Sequence, residues 1–196
     1  MPERPIPVRR SVRMIETKKL YAIGLISVAA IALGACSTLF SRHPVGNTAV
    51  PQPKKSVEIQ KYLGRWYEIA RYEQSFQKDC DAVTADYSLR PDGKIQVVNR
   101  CRKPGGKLSE ARGRAKVVDP SNAKLKVSFF GPFYGDYWVL DHAADYSWSI
   151  VGEGSGRYLW LLNRRATPSE AEIRKLIERA GALVYDTSML RQTSQP

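Results

Sequence analysis

The chain has 196 residues, 43% of them hydrophobic, and a formal charge of +12. That length holds one ordinary domain plus extra segments, and the apolar fraction excludes a chain with no core. The charge suits contact with anionic lipid or nucleic acid, although a solvated basic surface accounts for it equally well.

Residues 1–35 read as a targeting segment. Arg9, Arg10, Arg13, Lys18 and Lys19 form a basic stretch, Leu20–Leu33 is uncharged and mostly apolar, and the small residues Gly34 and Ala35 follow. Met14 offers an alternative start. A transmembrane anchor is the competing reading, because no charge occurs from Leu20 to Ser41. The fall in apolar density at Cys36 favours a cleaved signal. Leu33-Gly34-Ala35-Cys36 resembles a bacterial lipobox. That resemblance implies that Cys36 is lipidated and begins the mature protein, and Ser37 after it implies sorting to the outer membrane. A translocated chain meets lipid before nucleic acid. Residues 36–56, with Pro44, Pro51 and Pro53 and little periodicity, read as the lipidated N-terminus and a flexible tether. Residues 57–196 are left as the folded domain.

From Lys61 onward the apolar period is two. Arg65–Ala70 is the first strand. Val83, Ala85, Tyr87 and Leu89 alternate with polar residues; Arg90-Pro91-Asp92-Gly93 signals a turn; Ile95, Val97 and Asn99 then resume the alternation, which is a hairpin. Ala111, Gly113, Ala115 and Val117 alternate with Arg112, Arg114 and Lys116, a strand with a basic outer face. After Asp119-Pro120-Ser121-Asn122 come strands at Leu125–Phe129, Tyr137–Asp141, Ser147–Gly152 and Tyr158–Arg164. Eight short antiparallel strands fit a sandwich or a closed up-and-down barrel. One helix is predicted over Pro168–Ala180, with Thr167 as N-cap, Glu170 completing a capping box, an Ile173, Leu176 and Ile177 stripe, and Gly181 as its stop. Ala182–Tyr185 could add a last short strand. Cys80 and Cys101 remain as one pair, and an oxidising compartment favours their disulfide. Simple parity puts Cys80 outside and Cys101 inside, so the bridge requires a bend just before the strand.

Three blocks then resemble the lipocalin family. Tyr62-Leu63-Gly64-Arg65-Trp66-Tyr67-Glu68 contains its Gly-x-Trp signature; Phe129–Trp138 with Asp145 and Tyr146 resembles its middle block; Tyr158–Arg164 resembles its last strand with the terminal Arg. The resemblance runs from about Val57 to Gln195, nearest to bacterial lipocalins and the apolipoprotein D group, and departs at His142 and Ala143. It implies an all-β fold: an eight-stranded antiparallel up-and-down barrel with one C-terminal α-helix. It further implies that Gly64, Trp66 and Arg164 close one end, Arg164 stacking on Trp66. By parity, Trp66, Glu68 and Ala70 would share one face, and Tyr67 and Ile69 would receive the helix.

Function is expected in the barrel interior. Parity and the resemblance both nominate Tyr87, Asn99, Phe129 and Trp160 as ligand-binding residues, and the middle block adds Trp138. These aromatics could instead fill a dry core. The small residues Ala85, Ala111, Gly113 and Ala115 on the same face argue for open volume. Such a cavity suits a hydrophobic ligand with a long tail and small head, a fatty acid, lysophospholipid or phospholipid, which the chain would bind and store or carry at the outer membrane in envelope maintenance. Neither His43 nor His142 sits in a metal-ligand spacing, Gly152-Glu153-Gly154-Ser155-Gly156 reads as a turn, and basic and aromatic residues fall on opposite strand faces. No cofactor, metal or nucleic acid is therefore expected. The alternative is an enzyme on the same scaffold, with Glu68 as its one candidate base and Arg164 as that residue's simpler partner.

Overall fold

A computed structural model describes residues 46, 47 and 49–196. The targeting segment and Cys36 lie outside the described residues. A short helix α1 (Ile59–Tyr62) leads into nine strands: β1 (Gly64–Tyr72), β2 (Asp81–Leu89), β3 (Ile95–Arg102), β4 (Leu108–Val117), β5 (Lys124–Ser128), β6 (Gly135–His142), β7 (Trp148–Gly152), β8 (Leu159–Asn163) and, after helix α2 (Glu170–Ala182), β9 (Leu190–Gln192). Each of β1 to β8 pairs antiparallel with its chain neighbour, and β1 pairs with both β2 and β8. The sheet therefore closes on itself, as the eight alternating segments predict, and closure leaves no free edge.

The turns form where their residues demand. Gly93 adopts φ 74° and its N–H donates to the Arg90 carbonyl, while Asp92 accepts from the Lys94 N–H. Asp119 accepts from the backbone N–H groups of Ser121 and Lys124. Glu153 accepts from the N–H groups of Ser155, Arg157 and Tyr158, so the glycine-rich run at 152–156 is a hairpin loop.

Two cores result. The inner one joins Trp66, Tyr87, Val97, Leu125, Val139, Val151 and Leu162. The outer one lies between α2 and the barrel wall and joins Ala70, Tyr72, Leu140, Ile150 and Leu161 to Leu176 and Ala180. This corrects the expected helix seat. The β1 register shifts between Glu68 and Ala70. The bulge moves Ala70 and Tyr72 to the outer face and turns Arg71 inward, so those two, not Tyr67 and Ile69, meet the helix. A second shift in β6, between Val139 and Asp141, turns Leu140 and Asp141 outward together.

The helix ends also differ from the prediction. Ser169 is the N-cap and Glu172 the reciprocal partner, two residues later than the Thr167 and Glu170 pair. Pro168 cannot donate an N–H, and here it precedes the cap rather than opening the helix. The helix runs through Gly181 to Ala182, and Val184 (φ 64°) turns the chain back. No strand forms at Ala182–Tyr185 beyond a single bridge from Tyr185 to Asn47; the added strand is β9, which pairs with Ala70–Tyr72.

The described part of residues 46–56 runs along the outside of the wall. The Tyr72 hydroxyl donates to the Gly46 carbonyl, the Lys54 N–H to the Leu140 carbonyl, and Lys55 pairs with Asp141 at 2.9 Å. Asn47 and Pro51 are buried there.

Candidate functional site: the barrel cavity

The barrel encloses a cavity of about 860 Å³ that opens at one end. Its closed end is built from α1 and the start of β1. The Arg164 guanidinium lies 3.7 Å from the centre of the Trp66 ring and donates to the carbonyls of Lys61, Leu63 and Arg65 at 2.8, 2.9 and 2.7 Å. Gly64 has φ 92° beneath it, a conformation that admits glycine most readily, and a Cβ there would stand 3.4 Å from the guanidinium. Burial draws the Arg164 pKa down, against the pull of the nearby phenols Tyr62, Tyr87 and Tyr137.

Those phenols form the cavity floor. Tyr87 shares a hydrogen bond with Tyr137 (2.9 Å), Tyr137 with Tyr62 (3.1 Å), and Tyr62 with Ser149 (3.0 Å). Four hydroxyls joined by three bonds leave one O–H over, on any one of the four. Burial pushes the Tyr62 phenol up to about 12 and raises Tyr87 and Tyr137 as well. The floor is thus neutral, and Tyr62, Tyr87 and Tyr137 line the cavity there.

Higher up, Asn99 faces the cavity between Ala85 and Ala111, its register partners on β2 and β4. Its Oδ1 is buried with no hydrogen-bond partner among the described residues. Trp160 lines the wall, and its indole N–H donates to Gln77 Oε1 at 3.1 Å. Phe76, Tyr158 and Trp160 stack in series from the rim inward, with centroids 6.1 and 5.6 Å apart. The Cys80–Cys101 bridge is formed, its Cα atoms 5.4 Å apart, and both residues line the cavity. A bulge after Asp81, with Ala82 at φ 50°, supplies the bend that parity required.

Tyr87, Asn99, Phe129 and Trp160 therefore share the cavity wall. Trp138 does not. It lies between Tyr137 and Val139, which point inward, so period two turns it outward, where Lys124 Nζ sits 4.2 Å from its ring. Tyr137 holds the inner position; it and Tyr62 are the floor residues that the sequence reading missed, although the parity of Tyr137 and Val139 carried the signal. Gly113 is not open wall either. A Cβ there would meet the Ser128 carbonyl at 2.7 Å and Phe129 at 2.8 Å, so it is the seat of Phe129.

Glu68 pairs with Arg71, not Arg164. Its carboxylate accepts from Arg71 at 2.7 Å and from Thr193 and Gln77 at 2.5 Å each, and both members of the ion pair are buried. Burial pulls the Arg71 pKa down, but Glu68 and Glu73 outweigh it and leave it raised. Three donors commit Glu68 to the wall and the rim loop. His142 lies at the opposite end. Its ring stacks on Tyr146 at 4.4 Å and its nitrogens meet the carbonyls of Ala143 (2.7 Å) and Ser56 (3.1 Å).

A closed barrel, plugged below by Arg164 on Trp66 and open above an apolar cavity, defines a class of ligand-holding proteins. Residues 57–195 match the family described as lipocalin-like domain, and the chain belongs to that family, whose members generally bind or carry rather than catalyse. It is 40% identical over 172 residues to the outer membrane lipoprotein Blc of Vibrio cholerae serotype O1, covering 85% of this chain and 98% of that protein. To the Blc lipoprotein of Escherichia coli K12 it is 36% identical over 180 residues, with 91% and 98% covered. Rat apolipoprotein D is 36% identical over 130 residues, with 61% and 67% covered. Among solved structures, the cockroach allergen Per a 4 superposes with a TM-score of 0.59 at 18% identity, covering 76% of this chain and 95% of that one, a likeness of fold.

Proposed function

We propose that the protein binds a lipid with one long apolar tail and a small polar head, a fatty acid or lysophospholipid. It stores or carries that lipid at the bacterial outer membrane, in maintenance of the envelope. A lipid on Cys36 holds it at that membrane, a placement that the names of the Blc relatives and the Leu33–Cys36 run support, and the barrel faces the periplasm. The observation that carries the reading is the cavity itself: an apolar tube with polar groups at two depths, the Asn99 oxygen midway and the phenol chain at the floor. Apolar walls accept the tail, and the few polar groups fix a head. Enzymatic use of the cavity would need a free base, and Glu68 is committed to three donors.

The test is extraction of protein purified without detergent, followed by mass spectrometry, and titration of delipidated protein with oleate and lysophosphatidylcholine. Trp160 lies in the wall, so its fluorescence should be quenched as the ligand enters, with dissociation constants micromolar or tighter. Absence of co-purified lipid together with no saturable quenching would overturn the proposal.

A further inference from the structure

The mouth of the barrel carries an apolar rim. Phe76 is 65% exposed, Leu108 74%, Phe130 82% and Phe133 78%. They come from the loop after β1, the start of β4 and the loop after β5, and three of them border the cavity. One exposed apolar side chain is ordinary; four around one opening form a patch that water does not favour.

The same end is basic. Lys78 in the loop after β1, Arg102 at the end of β3, Lys107 before β4 and Arg157 in the β7–β8 loop are exposed at this end and make no ion pair among the described residues. The acids nearby are largely engaged: Glu73 pairs with Arg71 and Arg191, Asp81 with Arg191, Asp136 with Lys126, and Glu153 caps its own loop, while Asp79 is exposed and makes no ion pair among the described residues. Apolar side chains ringed by unpaired cations match the interface of an anionic bilayer, acyl chains beneath and phosphates above.

The path of the chain points the same way. Gly46 is bonded to Tyr72, the last residue of β1, at the mouth end of the strand. From there the chain descends past Leu140 to Val57, whose N–H donates to Ser121 in the β4–β5 turn at the closed end. The connection towards Cys36 thus leaves from the mouth side. Nine residues separate Cys36 from Gly46 and span, with the two end links, at most about 33–36 Å when extended, so a lipid on Cys36 would tether the barrel from a point at its mouth side.

We infer that the mouth docks on an anionic lipid bilayer, with Phe76, Phe130 and Phe133 entering the interface, so that ligand passes between bilayer and cavity without crossing water. The inference rests on the anchored lipid-carrier reading and adds an orientation and a contact surface to it. The basic residues set the docking orientation, and the aromatic rim seals the mouth against the acyl layer.

The test uses the mature lipidated protein in phosphatidylglycerol–phosphatidylcholine vesicles whose acyl chains carry bromine. A Trp placed at the rim, Phe130→Trp, should be quenched by bromines about 5–10 Å below the headgroups, while a Trp in the closed-end turn, Lys94→Trp, should not be. Lys107→Glu with Arg157→Glu should reduce rim quenching in these vesicles, and added salt should do the same. Equal quenching at the two ends, or none at the rim, would overturn the docking. Cross-linking of Phe130→Trp protein into dimers, with the rim unquenched, would assign the patch to a second copy and overturn it as well. Binding of a fluorescent fatty acid by the same variants, measured before vesicles are added, reports the carrier function separately.

Discussion

The Arg164 guanidinium, one residue past β8, stands 3.7 Å from the centre of the Trp66 ring on β1 and adds a side-chain contact to the β1–β8 seam. The planar fork faces the ring and also reaches carbonyls of Lys61, Leu63 and Arg65, left without strand partners where the barrel opens into α1. A guanidinium can do both; an ammonium can stack or donate but does not present a flat fork. Arg164→Leu should lower unfolding stability by about 2–4 kcal/mol, from lost cation–π attraction and unpaired carbonyls. Arg164→Lys should recover less than half of that loss. Urea denaturation midpoints at constant slope measure both; a full recovery by Lys would show that charge alone closes the barrel.

The phenol floor predicts an alkaline limit to stability. Tyr62, held at about 12 when folded, titrates near 10 in the unfolded chain. The folded state therefore keeps its proton longer. Stability is unaffected below pH 10 and falls as the pH rises from about 10 through 12, because the unfolded chain ionises first. Tyr87 and Tyr137, raised in the same direction, extend the fall. Phenolate absorbance should show these three tyrosines titrating late and together with unfolding; normal titration in folded protein would disprove a buried floor.

Which of these features could be read in the sequence follows from how each is encoded. Alternation is a local signal, so all eight barrel strands and the inward set of Tyr87, Asn99, Phe129 and Trp160 were legible. The bulges were not. An extra residue at Ile69 leaves the composition of the strand unchanged, yet it shifts parity and moves the helix seat from Tyr67 and Ile69 to Ala70 and Tyr72. Trp138 misled for a related reason: its neighbours decide the face, and Tyr137 took the inner place. Thr167 and Ser169 are chemically similar caps, each with a Glu three residues on; the helix uses Ser169 with Glu172 and buries Leu176 and Ala180 against the wall.

The disulfide ties the start of β2 to the end of β3 at the mouth and closes a loop of sequence separation 21. On the chain-entropy model it contributes about 3 kcal/mol. Unfolded, unreduced protein should show no labelling at Cys80 or Cys101. Reduction should lower the midpoint of unfolding by a matching amount and leave the Arg164 plug, at the other end, intact by near-ultraviolet dichroism. Labelling of both cysteines before reduction would remove the bridge.

Ala111 and Gly113, two of the three small inward positions on β4, should respond in opposite ways to a larger side chain. Ala111 faces the cavity beside Asn99, so Ala111→Phe would project its ring into empty space. Fatty acid affinity should fall about tenfold or more because the tail loses that volume, while folding stability changes by less than about 1 kcal/mol. Gly113 has no such space: its missing Cβ is replaced by the Ser128 carbonyl at 2.7 Å and the Phe129 ring at 2.8 Å. Gly113→Leu should therefore displace Phe129 or part β4 from β5, costing about 1–3 kcal/mol or more of stability. The two measurements separate a ligand cavity from a dry core. In a dry core both substitutions would destabilise alike, and neither would act on binding alone. Paired thermal unfolding and oleate titrations of Ala111→Phe and Gly113→Leu decide the matter, and a strongly destabilised Ala111→Phe would place packed side chains where the cavity is now drawn.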